Sequence, residues 1–244
     1  MNKIKNVILS YWYEEMNFHP NDKINELQDA MKGIIDAPLM YNEEDIHHLI
    51  SLPRIKGISQ NHQYAFQISL INAFLSCDVS DLETDEIILL VNNHLQYLHD
   101  VLKNLFNLRI CYTSIKVEIM EEVDNSSNVL GKRYEIDEEL EDFSIRRGYQ
   151  KDDYYINYLI NAGKEYNFNV KREKDDLEQD IFDRTMITSL SLAEKKREFI
   201  MKVVEINDRQ AFNNNSNYET TMDNLRGMII ELKNILNNEL YDKK

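Results

Sequence analysis

Glycine and proline are scarce in this chain, six and three among 244 residues. Few glycines leave few positions where the backbone turns left-handed at low cost, and few prolines leave few fixed breaks. The sequence therefore suits long regular elements. The glycines, at 33, 57, 131, 148, 163 and 227, are also dispersed. A phosphate cradle needs them close together so that backbone can approach the anion. Gly131-Lys132-Arg133 lacks the hydroxyl of a P-loop, so the spacing argues against a P-loop NTPase or a dinucleotide enzyme. Cysteine is limited to Cys77 and Cys111, both in apolar runs and not in a CxxC pair. Two buried thiols in a reducing compartment are expected in preference to a disulfide. Long apolar runs are absent too: residues 87–91 form a purely apolar stretch of five, far below the roughly 20 that span a bilayer. The start resembles a secretory signal until Tyr11-Trp12-Tyr13-Glu14-Glu15, where no small-residue cleavage site follows. A first β-strand and a soluble, cytoplasmic protein are the expectation.

Basic residues are in deficit. There are 43 Asp plus Glu against 28 Lys plus Arg, a formal charge of −15. Residues 1–120 carry 9 basic and 16 acidic side chains, and residues 121–244 carry 19 and 27, so this is no acidic tail. A diffuse negative field repels nucleic acid and anionic lipid and attracts cationic partners. Apolar residues at 43% and charged residues at 29% are ordinary for a globular domain. The abundance of Asn, Ile, Lys, Tyr, Asp and Glu is what AT-rich codons produce and suggests a bacterial or phage source.

Along the chain, residues 7–13 read as a strand, and Pro20-Asn21-Asp22 opens a helix whose stripe is Ile24, Leu27, Met31 and Ile34. A short acidic helical piece is expected near 43–50. Residues 64–77 alternate like one long strand. Ser80 with Glu83 forms a capping box, Thr84 offers a second cap, and Ile87, Val91, Leu95, Leu98, Leu102 and Leu105 mark a long helix. Residues 108–120 return as a strand. The first part thus reads strand–helix–strand–helix–strand.

Residues 124–128 are a polar break, read as a hairpin tip joining 116–123 to 129–136 or as a domain boundary. Strands are expected over 154–160 and 166–171. Residues 185–192 and 198–207 flank Ala193-Glu-Lys-Lys-Arg197 and read as a hairpin with a basic tip. A polar loop over 213–217 leads to a closing helix with Met222, Leu225, Ile229, Leu232, Ile235, Leu236 and Leu240 on one stripe.

No motif carries evident chemistry. His94 and His99 lie five apart on a helix, about 140° around it, and do not share a face for a metal. Glu43, Glu44, Asp45, His47 and His48 are denser, with i,i+4 neighbours that a solvated acidic turn explains. Nuclease-like Glu-x-Lys strings occur only at Glu194 and Glu231, in a turn and on a helix. There is no Gly-x-Ser-x-Gly. Basic pairs at Arg146-Arg147 and Lys171-Arg172, and the run 195–197, are interrupted by acids and give no phosphate track. Fourteen tyrosines and Trp12 could supply stacking platforms but read mostly as core or sheet surface. One polar cluster stands out: Glu205-Ile-Asn-Asp208-Arg209, at the end of an expected strand.

The plan of a strand over 108–120 behind a long helix, and a strand over 199–208 before a closing helix, resembles a sporadically distributed family of bacterial α+β proteins of about 250 residues and uncharacterised function. The resemblance implies the fold class and carries over no site residue. The reading is therefore an α+β protein with mainly antiparallel sheets and long amphipathic helices packed on them, in two halves, 1–123 and 124–244. A non-enzymatic acidic binding or regulatory protein is expected, acting through protein–protein contacts and needing no cofactor. Its most specific form is an inhibitor or nucleic-acid mimic in phage–host conflict. The expected contact residues are the acidic runs: Glu43, Glu44 and Asp45; Asp81, Glu83, Asp85 and Glu86; Glu135, Asp137, Glu138, Glu139, Glu141 and Asp142. The expected partner is a basic protein, with no direct nucleic acid and no membrane, and self-association through a sheet edge or the C-terminal helix. The alternative is a divalent-metal hydrolase with carboxylate and His ligands drawn from distant strands.

Overall fold

The computed structural model describes residues 2–41, 50–136, 143–174 and 185–241, the side chains of 165–174, 185–196 and 239–241 excepted. The chain is α+β. Among the described residues nine strands, β1 (Asn2–Tyr13), β2 (Met40–Tyr41), β3 (Ile55–Ile58), β4 (Tyr64–Ile68), β5 (Asn72–Asp78), β6 (Ile110–Glu122), β7 (Ser144–Lys151), β8 (Tyr154–Lys174) and β9 (Thr185–Asn207), form one antiparallel sheet. Their order is β2-β3-β4-β5-β1-β6-β9-β8-β7. The helices are α1 (Ile24–Met31), α2 (Thr84–Phe106), α3 (Ser126–Arg133), α4 (Arg209–Asn214) and α5 (Met222–Tyr241). Two compact units result, neither continuous in sequence. The larger comprises Asn2–Ile119, Arg146–Leu159 and Lys202–Lys244, and the smaller comprises Met120–Ile145 and Ile160–Met201 with Met1.

In the larger unit, period-2 alternation sends Val7, Leu9, Tyr11 and Tyr13 of β1 inward, together with Ile115, Val117 and Ile119 of β6. They meet Ile87, Val91, Leu95, Leu98 and Leu102 of α2 and Leu225, Met228, Leu232 and Leu236 of α5 in one core. The α2 cap differs from the expected Ser80. Glu83 is the N-cap, and its N–H donates to Glu86 Oε2 at 2.9 Å. Carboxylates at a helix start complement its positive end.

Residues 64–77 are not one strand. They fold into β4 and β5, paired antiparallel with Tyr64 opposite Cys77 and Ile68 opposite Ala73. The turn is built by Ser69, whose Oγ accepts the N–H groups of Ile71 at 3.2 Å and Asn72 at 3.1 Å. With β2 and β3 added, the described residues have four strands between α1 and α2 rather than one. Both cysteines are free and buried, as expected.

The smaller unit has its own core of Leu130, Phe143 and Ile200, flanked by Val129, Tyr134 and Ala162. Here the expected strand over 129–136 is overturned. Asn125, in the left-handed region at φ 56°, caps α3 instead by accepting the Asn128 N–H. The expected hairpin around 193–197 is also overturned, because β9 runs unbroken from Thr185 to Asn207. Among the described charged side chains of this stretch, Arg197 pairs with Glu122 at 2.7 Å, and Glu198 accepts the Ser126 N–H at 2.6 Å. Likewise 154–160 and 166–171 belong to the single strand β8. Among the described residues, no helix is long and apolar enough to cross a membrane.

Candidate binding site

The side chains that alternate away from the core of the larger unit stand half-buried on the other face of its strands. Register places Ser10 opposite Phe74 and Trp12 opposite Asn72, so the Trp12 and Phe74 rings meet diagonally, 5.9 Å apart and edge to face. On the other side Trp12 stacks against Tyr112 of β6, 5.5 Å between centroids and 15° from parallel. The Arg209 guanidinium lies 5.6 Å from the Tyr112 ring centre, and Phe212 of α4 leans on the same ring at 6.1 Å. The result is a row, Phe74–Trp12–Tyr112–Arg209, crossing three strands and ending on α4.

Two depressions flank this row. One, of about 580 Å³, is walled by strand residues alone, among them Ile8, Ser10, Ala65, Gln67, Ser76 and Lys116. The other, of about 540 Å³, lies towards β7, β8 and α4 and is lined by Trp12, Tyr112, Arg146, Gly148, Tyr155, Asn157, Glu205, Asn207, Arg209, Gln210 and Asn213. Glu205 reaches both and is held on each oxygen: the Ser114 hydroxyl donates to Oε1 at 2.9 Å and Asn157 Nδ2 to Oε2 at 3.1 Å. Gly148 lets Tyr155 and Asn157 pack against the β7 backbone, since a Cβ there would stand 2.5 Å from the Tyr155 hydroxyl and 2.9 Å from Asn157 Oδ1.

The polar cluster at 205–209 divides by strand geometry. Glu205, Asn207 and Arg209 line the depression, while Ile206 and Asp208 turn inward. Asp208 is fully buried and accepts three hydrogen bonds: from the Thr113 N–H at 2.6 Å, the Thr220 hydroxyl at 2.6 Å and the Tyr218 hydroxyl at 2.8 Å. Burial raises its carboxyl above the ordinary value, against the lowering pull of those bonds. Asp208 thus ties the start of α4 to β6 and to the segment leading into α5. Asn207 Oδ1 accepts the Arg209 N–H at 3.2 Å, fixing the next residue as well.

Of the expected acidic contact residues, the five described ones are not among the lining of either depression. Asp81 pairs with Lys3 at 3.6 Å, Asp85 with Lys233 at 3.1 Å, and Glu83 and Glu86 cap α2. Glu135 is exposed just beyond α3, in the left-handed region at φ 57°. Glu43, Glu44, Asp45, Asp137, Glu138, Glu139, Glu141 and Asp142 lie outside the described residues, as does the helical piece expected near 43–50. His94 packs edge-on against Tyr64, 5.3 Å between rings, whereas the buried His99 places Nε2 3.3 Å from the Thr220 carbonyl. No three His, Cys, Asp or Glu side chains gather as metal ligands among the described residues.

Sequence reasoning singled out Glu205 and Arg209 but not Trp12, Tyr112, Arg146 or Asn157 as members of one site. The open-face alternation on β6, Tyr112, Ser114, Lys116 and Glu118, was the available signal. No protein-family model matches the chain, and no curated protein matches it.

Proposed function

We propose that this chain is a non-enzymatic binding protein that works through protein–protein contacts, with the open face of its sheet as the contact surface. The observation that carries this reading is the Phe74–Trp12–Tyr112–Arg209 row. Trp, Tyr and Arg are the residue types that dominate binding energy at protein interfaces. Here Trp12 and Tyr112 are held on neighbouring strands and Arg209 at the start of α4, and each side chain is already braced by the next. A partner therefore meets side chains whose rotamer freedom is largely spent, which lowers the entropy cost of association. Ser10, Gln67, Ser76 and Lys116 beside the row supply a polar surround.

The test is a parallel capture from lysate of the source cell by three forms of the chain: wild type, Trp12→Ala, and Leu89→Ala as a control on the exposed side of α2. A protein held by wild type and Leu89→Ala but depleted about tenfold or more on Trp12→Ala is the expected result. Circular dichroism confirms that each variant is folded. The same captured set on all three forms would sink the reading.

A further inference from the structure

The depression beside α4 carries a charge opposite to that of the chain. Arg109, Arg133, Arg197 and Arg226 each sit on a carboxylate, at 2.7 to 3.1 Å. Arg146 and Arg209 do not: among the described residues neither meets a carboxylate, although acidic side chains outnumber basic ones by 43 to 28. The carboxylate that does line the depression, Glu205, already has both oxygens engaged by Ser114 and Asn157. Two arginines that meet no carboxylate among the described residues thus line one recess of about 540 Å³.

We propose that this recess binds a nucleoside phosphate, its phosphate taken by Arg146 and Arg209 and its heterocycle by the aromatic and carboxamide lining. A guanidinium presents paired N–H donors that match phosphate oxygens. Trp12, Tyr112 and Tyr155 supply ring surface for a flat ligand. Asn207, Gln210 and Asn213 bring carboxamides, which offer donor and acceptor together, as the edge of a heterocycle requires. An inorganic anion would use the arginines and leave the rings and amides idle.

Size and charge favour a mononucleotide over a polymer. Small-ligand sites run from about 300 to 1,000 Å³. Each further phosphate of a strand would enter the field of an acidic protein, whereas one phosphate in the recess meets two arginines against the single carboxylate of Glu205. Charges beyond about 8 Å are largely screened at physiological salt. The phosphate contact comes from side chains on β7 and α4, which is why no glycine-rich spacing announces it. The segment is also pre-set: the buried Asp208 bonds hold the start of α4 before any ligand arrives.

The inference shares Trp12, Tyr112 and Arg209 with the partner-contact reading, but its test needs no partner. Trp12 is the single tryptophan of the chain and lines the recess, so its fluorescence reports occupancy directly. The purified full chain is titrated with AMP, GMP, CMP and UMP, and with adenosine and inorganic phosphate as separate arms, exciting at the red edge of tryptophan absorption. At least one mononucleotide is expected to give a saturable change. Arg146→Ala and Arg209→Ala should each weaken it about tenfold or more, and adenosine and phosphate should bind far more weakly. Arg146 is exposed on the edge strand β7, so its variant keeps the test usable if Arg209→Ala does not fold. A response to inorganic phosphate equal to that of every nucleotide would reduce the recess to an adventitious anion site only. Unchanged affinity in Arg146→Ala, or no saturable response to any of the four, also overturns the proposal. Partner capture that still depends on Trp12 would then leave the contact reading standing, and the reverse pair of results would leave the recess without the contact.

Discussion

Asp208 shows how much one residue organises here. Its carboxylate closes three hydrogen bonds inside the fold and positions the start of α4. In Asp208→Ala the Thr113 N–H is left buried without its acceptor, and a loss of roughly 3 kcal/mol in chemical denaturation is expected. The pH dependence has a definite sign. Because burial raises the folded carboxyl above its ordinary 3.8, the native state holds the proton longer than the unfolded state. That contribution to stability is fully present below 3.8 and is lost as pH rises through the raised value. The melting temperature of wild type relative to Asp208→Asn should therefore fall as pH climbs from 3.8 upward. Thermal melts of the two proteins across that range check it. Sequence reading could single out Asp208 within a polar cluster. It could not separate Asp208 from Glu205 in role, because that division depends on which way each side chain leaves β9.

At the scale of elements, regular periodicity was legible and changes of phase were not. The stripe from Ile87 to Leu102 marks α2 correctly because its burial repeats with the helical period. The β4–β5 hairpin escaped because its turn uses neither glycine nor proline. Its true signal is a switch of core-facing residues from Phe66 and Ile68 to Ala73, Leu75 and Cys77, an even set giving way to an odd one. Ser69 is what makes the turn possible, so Ser69→Ala should cost about 1–2 kcal/mol through the two N–H groups it abandons, measured by denaturant unfolding. The opposite error occurred at 193–197, where a charged run imitated a turn. Long side chains can stay solvated or pair across strands, as Arg197 does with Glu122, without breaking a strand.

For the whole molecule, charge is the property with the clearest consequence. A net −15 places self-repulsion on the folded state. Raising ionic strength from about 0.01 to 0.15 M shortens the screening length from about 30 to 8 Å. The melting temperature should rise over that interval, and scanning fluorimetry at a series of salt concentrations checks it. Nucleotide binding at the recess should move the other way, weakening with salt, since it rests on attraction to Arg146 and Arg209. Opposite salt responses from one protein would locate the attraction in the recess and the repulsion in the chain at large.

By itself the sequence determined the α+β class, the principal helices, the two free thiols and the acidity, because each follows from composition or from periodicity within a segment. It also placed Glu205 and Arg209 under suspicion. Only the tertiary structure decided that Trp12, Tyr112, Arg146, Asn157 and Arg209 share one face, for they come from β1, β6, β7, β8 and α4. Strand order is chosen by long-range pairing, and no local pattern encodes which strand will lie beside which. That pairing, with α4 following β9, brings two arginines that meet no carboxylate among the described residues to one recess of a protein whose composition alone argues against binding anions.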